Sequence, residues 1–173
     1  SPVVCYRARM SAPDPTPRLL LLFTLIDLIV GSSAFVINGL VAPVALSLGT
    51  SVAAVGQAMT AYALSTAVLA PLLLMATGRW SRRRALVLAL ALFTAGNALS
   101  ALADELGTLI AGRAIMGMGA MVTPVMAALA VALVEPARRG RALALVFMGM
   151  SLSYVIGIPL GAWLGFALGW HAP

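Results

Sequence analysis

Charged residues are scarce in this chain of 173 residues: they make up 9% of it, whereas hydrophobic residues make up 62%. Soluble domains carry roughly 25% charged residues, so the composition excludes an ordinary soluble fold. Lysine is absent. The chain therefore lacks the phosphate-binding loop that ends in Gly-Lys-Ser/Thr, which excludes an ATP-driven motor.

Histidine and cysteine are almost absent as well. The single histidine, His171, lies at the end of the sequence, so a serine nucleophile paired with histidine inside a membrane is not expected. The single cysteine, Cys5, excludes an internal disulfide and a cysteine metal cluster. We therefore expect no enzyme activity, no metal and no cofactor.

Apolar runs of bilayer length recur five times, at about 19–42, 52–77, 85–103, 108–134 and 142–170. Lipid requires a spanning segment to satisfy its own backbone as a helix. The sequence thus predicts an all-α fold, a polytopic transmembrane helical bundle at 19–170. Residues 1–18 are interpreted as a polar cytoplasmic leader, and 1–9, which precede Met10, as a non-native or upstream extension.

Positive charge is unevenly distributed. Ten of the eleven arginines fall in three segments, 7–18, 79–84 and 138–141, and the loops 43–51 and 104–107 between them contain none. This is the positive-inside pattern, which predicts a cytoplasmic N-terminus. The net charge of +6 is therefore attributed to topology and to contact with anionic lipid, not to nucleic-acid binding.

Asp27 interrupts the first apolar run. At about 100° per residue, it shares a helix face with Gly31, Ala34 and Asn38, and we expect this small, polar face to line a cavity. A carboxyl held away from water can take up and release a proton near neutral pH. Asp27 is therefore a candidate for proton coupling. The alternative is a carboxyl that is kept permanently neutral or is held by a neighbouring serine or backbone group.

Arg113 interrupts the fourth run and shares a face with Gly117, Ala120 and Pro124. An arginine acts as a fixed charge, able to orient an anionic substrate or to favour ionisation of a carboxyl; the alternative is a side chain that snorkels to the interface. Counting helical rise puts Arg113 and Asp27 at different depths, so no direct salt bridge is expected.

Two further features of the apolar runs are notable. Asn38 and Gln57 are candidates for substrate contact, although hydrogen bonding between helices is an alternative for Gln57. Prolines should kink three of the helices, at Pro71, Pro124 and Pro159.

Three segments, taken together, resemble the N-terminal half of a major facilitator superfamily transporter over about 19–170. The resemblance is closest to the bacterial drug:proton antiporter or arabinose-efflux-like permease branch. The loop after span 2 keeps Arg79, Arg82 and Arg83 of a family motif but replaces its aspartate and glycines, and span 4 matches R-x-x-x-G-x-G at Arg113. Span 5 loosely matches an antiporter signature at Gly149, Gly157, Pro159 and Gly161.

The resemblance implies proton-coupled efflux of a small molecule, such as a drug or a sugar, across the bacterial plasma membrane. It also implies a part for Arg113 in proton transfer. Such transporters have two halves of six helices, so a sixth span and a C-terminal half are expected to be missing here. The alternatives are a uniporter or symporter of the same fold, or a truncated fragment or split subunit that needs a partner chain.

Small residues recur at every fourth position of the last run: Gly149, Ser153, Gly157, Gly161, Gly165 and Gly169. Such spacing allows helices to pack closely in lipid. On a straight helix the first and last members lie about 200° apart. The series should therefore contact more than one partner or bend at Pro159. By the resemblance, part of it should face the missing half.

Overall fold

The computed structural model describes residues 16–170, and these contain helices and no strand, which confirms the all-α prediction. Five helical spans are long and apolar enough to cross a membrane: span 1, Pro17–Gly39; span 2, Val52–Ala76; span 3, Arg82–Ala101; span 4, Leu106–Leu133; and span 5, Pro136–Leu168. Residues 1–15, with Cys5 and most of the interpreted leader, and residues 171–173 lie outside the described residues.

The α-helices of every span except span 3 are interrupted or end in an irregular turn. The α-helix bounds are Thr16–Phe35 and Val41–Ser47 in and after span 1; Val52–Leu64 and Ala70–Ala76 in span 2; Arg82–Ala101 in span 3; Leu106–Gly119 and Val122–Leu133 in span 4; and Arg139–Leu152 and Ile158–Leu168 in span 5. The helix of span 3 begins before the predicted apolar run 85–103. The Ser81 side chain accepts a hydrogen bond from the Arg84 backbone N–H and so caps the helix at this point. Hydropathy marks only the part of a helix that faces lipid.

Each of the three prolines follows an irregular turn. A π turn at Ser65–Leu69 precedes Pro71, another at Ser153–Gly157 precedes Pro159, and the α-helix of span 4 is broken shortly before Pro124. Proline lacks a backbone N–H, and its ring clashes with the carbonyl one turn earlier. The wider π turn removes that clash while keeping the chain helical.

Glycines bring spans 3 and 4 into close contact. A Cβ atom added to Gly96 would collide with the backbone nitrogen of Met116, and one added to Gly119 would lie 2.5 Å from the backbone nitrogen of Phe93. Span 4 contacts span 2 in the same way, because a Cβ on Gly117 would lie 2.6 Å from the Tyr62 carbonyl oxygen. The glycines beside Arg113 thus make room mainly for neighbouring backbones.

The small-residue series of span 5 packs on span 1. A Cβ on Gly149 would collide with the Thr24 carbonyl oxygen, and one on Gly157 with the Ser32 side chain. Ser153 lies against Gly31, and Gly165 against Leu40. These four members therefore pack on one neighbour within the chain, and the part of the series expected to face the missing half is not among them. The π turn has more residues per turn than an α-helix, so it offsets the drift of a four-residue spacing and keeps the series on one neighbour.

Large apolar side chains cover much of the outer surface of the bundle. Ile29 is 64% exposed, Met75 is 74% exposed and Val155 is 72% exposed. Lipid solvates such side chains, so their exposure fits a bundle that lies in a membrane.

Cysteine labelling tests the topology predicted from the arginines. In a Cys5→Ser background, we expect Ser47→Cys, at the charge-poor end, to react with a membrane-impermeant maleimide in intact cells. We expect Gly140→Cys to react only after permeabilisation, since it lies among the arginines; a Cβ there meets no atom within 4 Å, so the change is tolerated. The opposite labelling pattern would contradict a cytoplasmic N-terminus.

Candidate functional site

Asp27 lies where spans 1, 4 and 5 meet, and its side chain is fully buried. Its Oδ1 accepts a hydrogen bond of 2.5 Å from the Thr123 hydroxyl of span 4. Its Oδ2 is buried with no hydrogen-bond partner among the described residues. On the span 5 side, a Cβ added to Gly149 would lie 3.0 Å from the Asp27 Cβ.

Neither protonation state of Asp27 is fully satisfied by residues 16–170. As a carboxylate, it leaves a charged oxygen without a donor; as an acid, it lacks a second partner. An unsatisfied buried polar atom costs about 1–3 kcal/mol, and more when it is charged. Water or a proton reaching this position therefore changes the energy of the site substantially.

One helical turn before Asp27, Thr24 joins span 1 to span 5. Its hydroxyl is 2.8 Å from the Leu145 carbonyl oxygen and 3.0 Å from the Leu20 carbonyl oxygen, and it can donate to either. Interhelical bonds of this kind hold membrane helices together where apolar packing gives no net attraction. This bond and the Gly149 contact fix span 5 against the helix that carries Asp27.

Arg113 is also buried, with 5% of its surface exposed. Its Nη1 donates a hydrogen bond of 2.7 Å to the Ala34 carbonyl oxygen of span 1, and its Nε has no partner among the described residues. Arg113 lines a cavity of about 320 Å³ between spans 1, 3 and 4. It therefore does not snorkel to the interface.

Asp27 and Arg113 contact span 1 at different heights. Asp27 bonds to Thr123, and Arg113 bonds to the carbonyl of Ala34, seven residues further along span 1, which is about 10 Å of helical rise. No ion pair between the two is present in residues 16–170. The bundle thus holds two separate buried polar sites.

The other predicted residues lie outside these sites. Asn38 and Gln57 are exposed. The prediction that Asp27, Gly31, Ala34 and Asn38 share one face is wrong for Asn38. The first three residues are buried in the bundle, whereas the Asn38 side chain is exposed on its surface. A 3₁₀ turn at Val36–Gly39 has fewer residues per turn than an α-helix and so changes the direction of the face.

The arginines of the predicted loop motif are exposed: Arg79 lies in the turn after span 2, and Arg82 and Arg83 lie in the first turn of span 3. The Nη1 of Arg82 donates a hydrogen bond of 2.7 Å to the Ala128 carbonyl oxygen of span 4. In span 5, Pro159 is exposed whereas Gly161 is buried. The two motifs are therefore built differently, one on the surface and one mostly at a helix contact.

Sequence reasoning missed an aromatic cluster, which we define as Phe35, Tyr62 and Tyr154. The Phe35 ring centroid lies 6.2 Å from that of Tyr62 and 5.1 Å from that of Tyr154. The three rings come from spans 1, 2 and 5, and Tyr154 is 49% exposed. Sequence reasoning also missed Thr123. Its position as an isolated hydroxyl beside Pro124 was the available signal.

Five apolar helices with a carboxyl and a guanidinium buried between them define an integral membrane protein of the kind that moves polar solutes or ions. Over residues 23–173, the chain matches the family model described as Major Facilitator Superfamily. The chain belongs to this family, whose members are transporters and not enzymes. It is a multi-pass membrane protein, and the resemblance noted in the sequence is confirmed.

Several curated proteins are similar to the chain. It is 37% identical over 152 residues to the uncharacterized MFS-type transporter YbcL of Bacillus subtilis (strain 168), covering 87% of this chain and 39% of that protein. It is 34% identical over 150 residues to the inner membrane transport protein YdhP of Escherichia coli (strain K12), covering 82% and 37%. It is 38% identical over 134 residues to the chloramphenicol efflux pump Rv0191 of Mycobacterium tuberculosis (strain ATCC 25618 / H37Rv), covering 77% and 32%. The chain thus spans less than half the length of these relatives.

Proposed function

We propose that the full-length protein exports small molecules across the bacterial plasma membrane in exchange for protons, and that Asp27 carries the proton. In this proposal the chain is the N-terminal part, and a sixth span and a C-terminal half complete the transporter. The observation that carries the proposal is the fully buried Asp27 carboxyl, one oxygen of which has no hydrogen-bond partner among the described residues.

The surroundings of Asp27 suit a group that changes its protonation state. The Thr123 hydroxyl can donate to a carboxylate or accept from a carboxylic acid. Gly149 lets span 5 lie directly over the carboxyl, so a small movement of that span would admit water. Alternating access requires such a group to be occluded in one state and wet in the next.

We further propose that the aromatic cluster contacts the exported molecule. Phe35 and Tyr62 line a groove of about 540 Å³ on the bundle surface together with Thr60 and Thr66. Aromatic faces stack on planar aromatic solutes, and hydroxyls provide hydrogen bonds. Chloramphenicol, which appears in the name of one relative, is therefore the first molecule to test.

Everted membrane vesicles test the exchange. With the full-length protein present and the lumen acidified by respiration, we expect chloramphenicol added outside to enter in exchange for luminal protons, which restores the fluorescence of an internal pH probe. Vesicles without the protein are the control. Chloramphenicol uptake without proton release would contradict antiport and favour a uniporter. Proton flow in the same direction as chloramphenicol would indicate a symporter.

A further inference from the structure

Span 5 contacts both candidate sites, and an irregular turn lies between the two contacts. Gly149 packs beside Asp27, and Tyr154 packs on Phe35 of the aromatic cluster. We propose that the π turn at Ser153–Gly157 couples the two sites, so that a change of charge at Asp27 shifts the Tyr154 ring against Phe35. This coupling rests on the proposed function, which assigns the proton to Asp27 and the exported molecule to the aromatic cluster.

The part of span 5 before the π turn is tightly packed around Asp27. A Cβ added to Gly149 would lie 3.0 Å from the Asp27 Cβ and would collide with the Thr24 carbonyl oxygen. Val146, three residues before Gly149, is completely buried. Packed interiors change between discrete arrangements and do not deform gradually. A water molecule or a rearranged side chain at the charged carboxyl therefore displaces this part of the span as a unit.

The part of span 5 beyond the π turn is held separately, against the end of span 1. A Cβ on Gly165 would lie 2.5 Å from the Leu40 side chain, and one on Gly39 would lie 2.9 Å from the Ala162 Cβ. These contacts are roughly 18 Å further along span 1 than Asp27, counted as helical rise. A rearrangement at Asp27 can therefore leave them in place.

The π turn between these two parts can absorb the displacement. Ser153 is completely buried against Gly31, and its hydroxyl donates a hydrogen bond of 2.7 Å to the Met150 carbonyl oxygen. A π turn holds one residue more than a regular helix, and such turns are frequent at functional sites. The extra residue lets the helix shift on one side of the turn while the other side stays packed. Tyr154 is the second residue of the turn, so its ring moves with the shift.

The contact between Tyr154 and Phe35 is sensitive to small shifts. The two ring centroids lie 5.1 Å apart, with 32° between the ring planes, and the energy of an aromatic pair depends on its offset and angle. Phe35 ends the α-helix that also carries Asp27. Linkage is reciprocal: a molecule that binds against the aromatic cluster changes the proton affinity of Asp27 by the factor by which the proton changes its own affinity.

Asp27 is the group expected to respond to pH, because it is the one acid within the five spans. Arginines stay charged at any ordinary pH, and Tyr154 is replaced in the experiment below. Besides Arg113 of span 4 and Tyr154 of span 5, the charged side chains of the helices packed around Asp27 are exposed near the helix ends: Arg18, Glu105, Glu135, Arg138, Arg139 and Arg141.

Fluorine NMR of the full-length protein in detergent tests the coupling without any substrate. A 4-fluorophenylalanine at position 154 keeps a ring against Phe35 and removes the tyrosine hydroxyl, so the label does not titrate. We expect its resonance to shift or to split between about pH 5 and about pH 9, where a buried carboxyl gains or loses its proton. Asp27→Asn should abolish this response. Asp104→Asn, the same change at an exposed acid, should retain it.

A second label determines where span 5 moves. A 4-fluorophenylalanine in place of Phe166, beyond the π turn, should not respond to pH. An equal response at Phe166 would show that span 5 moves as one rigid helix, and it would overturn the role of the π turn. A label at position 154 that ignores pH, or that still responds in Asp27→Asn, would overturn the coupling.

The vesicle experiment separates this coupling from the proposed function. Proton release on addition of chloramphenicol, together with an unresponsive label at position 154, would overturn the coupling and leave proton exchange standing. A label that responds through Asp27, together with chloramphenicol uptake without proton release, would support the coupling and contradict antiport.

Discussion

Replacing Asp27 by Asn should reduce proton-coupled transport by at least about 100-fold, a loss typical of removing a group that transfers a proton. The change is isosteric, and the Thr123 hydroxyl can still donate to the remaining oxygen. The site therefore keeps its shape but can no longer gain or lose a proton. The measurement is proton release from everted vesicles on addition of chloramphenicol, with protein levels matched by immunoblot.

Two controls make this result specific. Asp104→Asn makes the same chemical change at an exposed acid at the end of span 3, and we expect transport like that of the unmodified protein. Exchange of labelled for unlabelled chloramphenicol should persist in Asp27→Asn, because exchange needs the substrate site but no net proton movement. Proton release at the unmodified rate in Asp27→Asn would remove Asp27 from the mechanism.

Replacing Gly149 by Ala should destabilise the bundle by about 2–3 kcal/mol, near the upper end for inserting a methyl group into a tightly packed contact. The added Cβ would collide with the Thr24 carbonyl oxygen and lie 3.0 Å from the Leu28 backbone nitrogen. Backbone atoms cannot turn aside as a flexible side chain can, so span 5 must move away from span 1. The measurement is the free energy of unfolding from titration with a denaturing detergent.

Gly56→Ala is the matched control. It makes the same substitution in the helix of span 2, at a position where a Cβ meets no atom within 4 Å. Alanine has the higher helix propensity, so we expect this variant to be unchanged or more stable by up to about 1 kcal/mol. Equal destabilisation by both substitutions would show that the contact of Gly149 with span 1 does not limit stability.

The sequence indicates the spans well because lipid selects for long apolar runs, and such runs are local. It also identifies Asp27 and Arg113, since an ionisable residue in an apolar run is conspicuous. The hydrogen-bond partners of Asp27 and Arg113 could not be predicted in the same way. Thr123 and the Ala34 carbonyl belong to other helices, and contacts between helices depend on rotation and depth, which no local pattern specifies.

The sequence-based predictions fail mainly in the direction in which a helix face points. A constant 100° per residue placed Asn38 with Asp27 and spread the small residues of span 5 over more than one side. The 3₁₀ turn at Val36–Gly39 and the π turn at Ser153–Gly157 change that angle locally. Proline signals such an irregularity, but its size depends on what the neighbouring helices require.

The two π turns also bear on how this chain tolerates insertions and deletions. Each turn holds more residues than an α-helix needs over the same length. Loss of one residue within it would leave a regular helix and would keep everything beyond facing in about the same direction, because the turn already holds one residue in excess. In a regular part of a span, such a deletion would turn everything beyond it by about 100° and disrupt its packing. At Ser65–Leu69 and Ser153–Gly157 neither effect is expected: the helix would become regular, and in span 5 Gly165 would stay against Leu40.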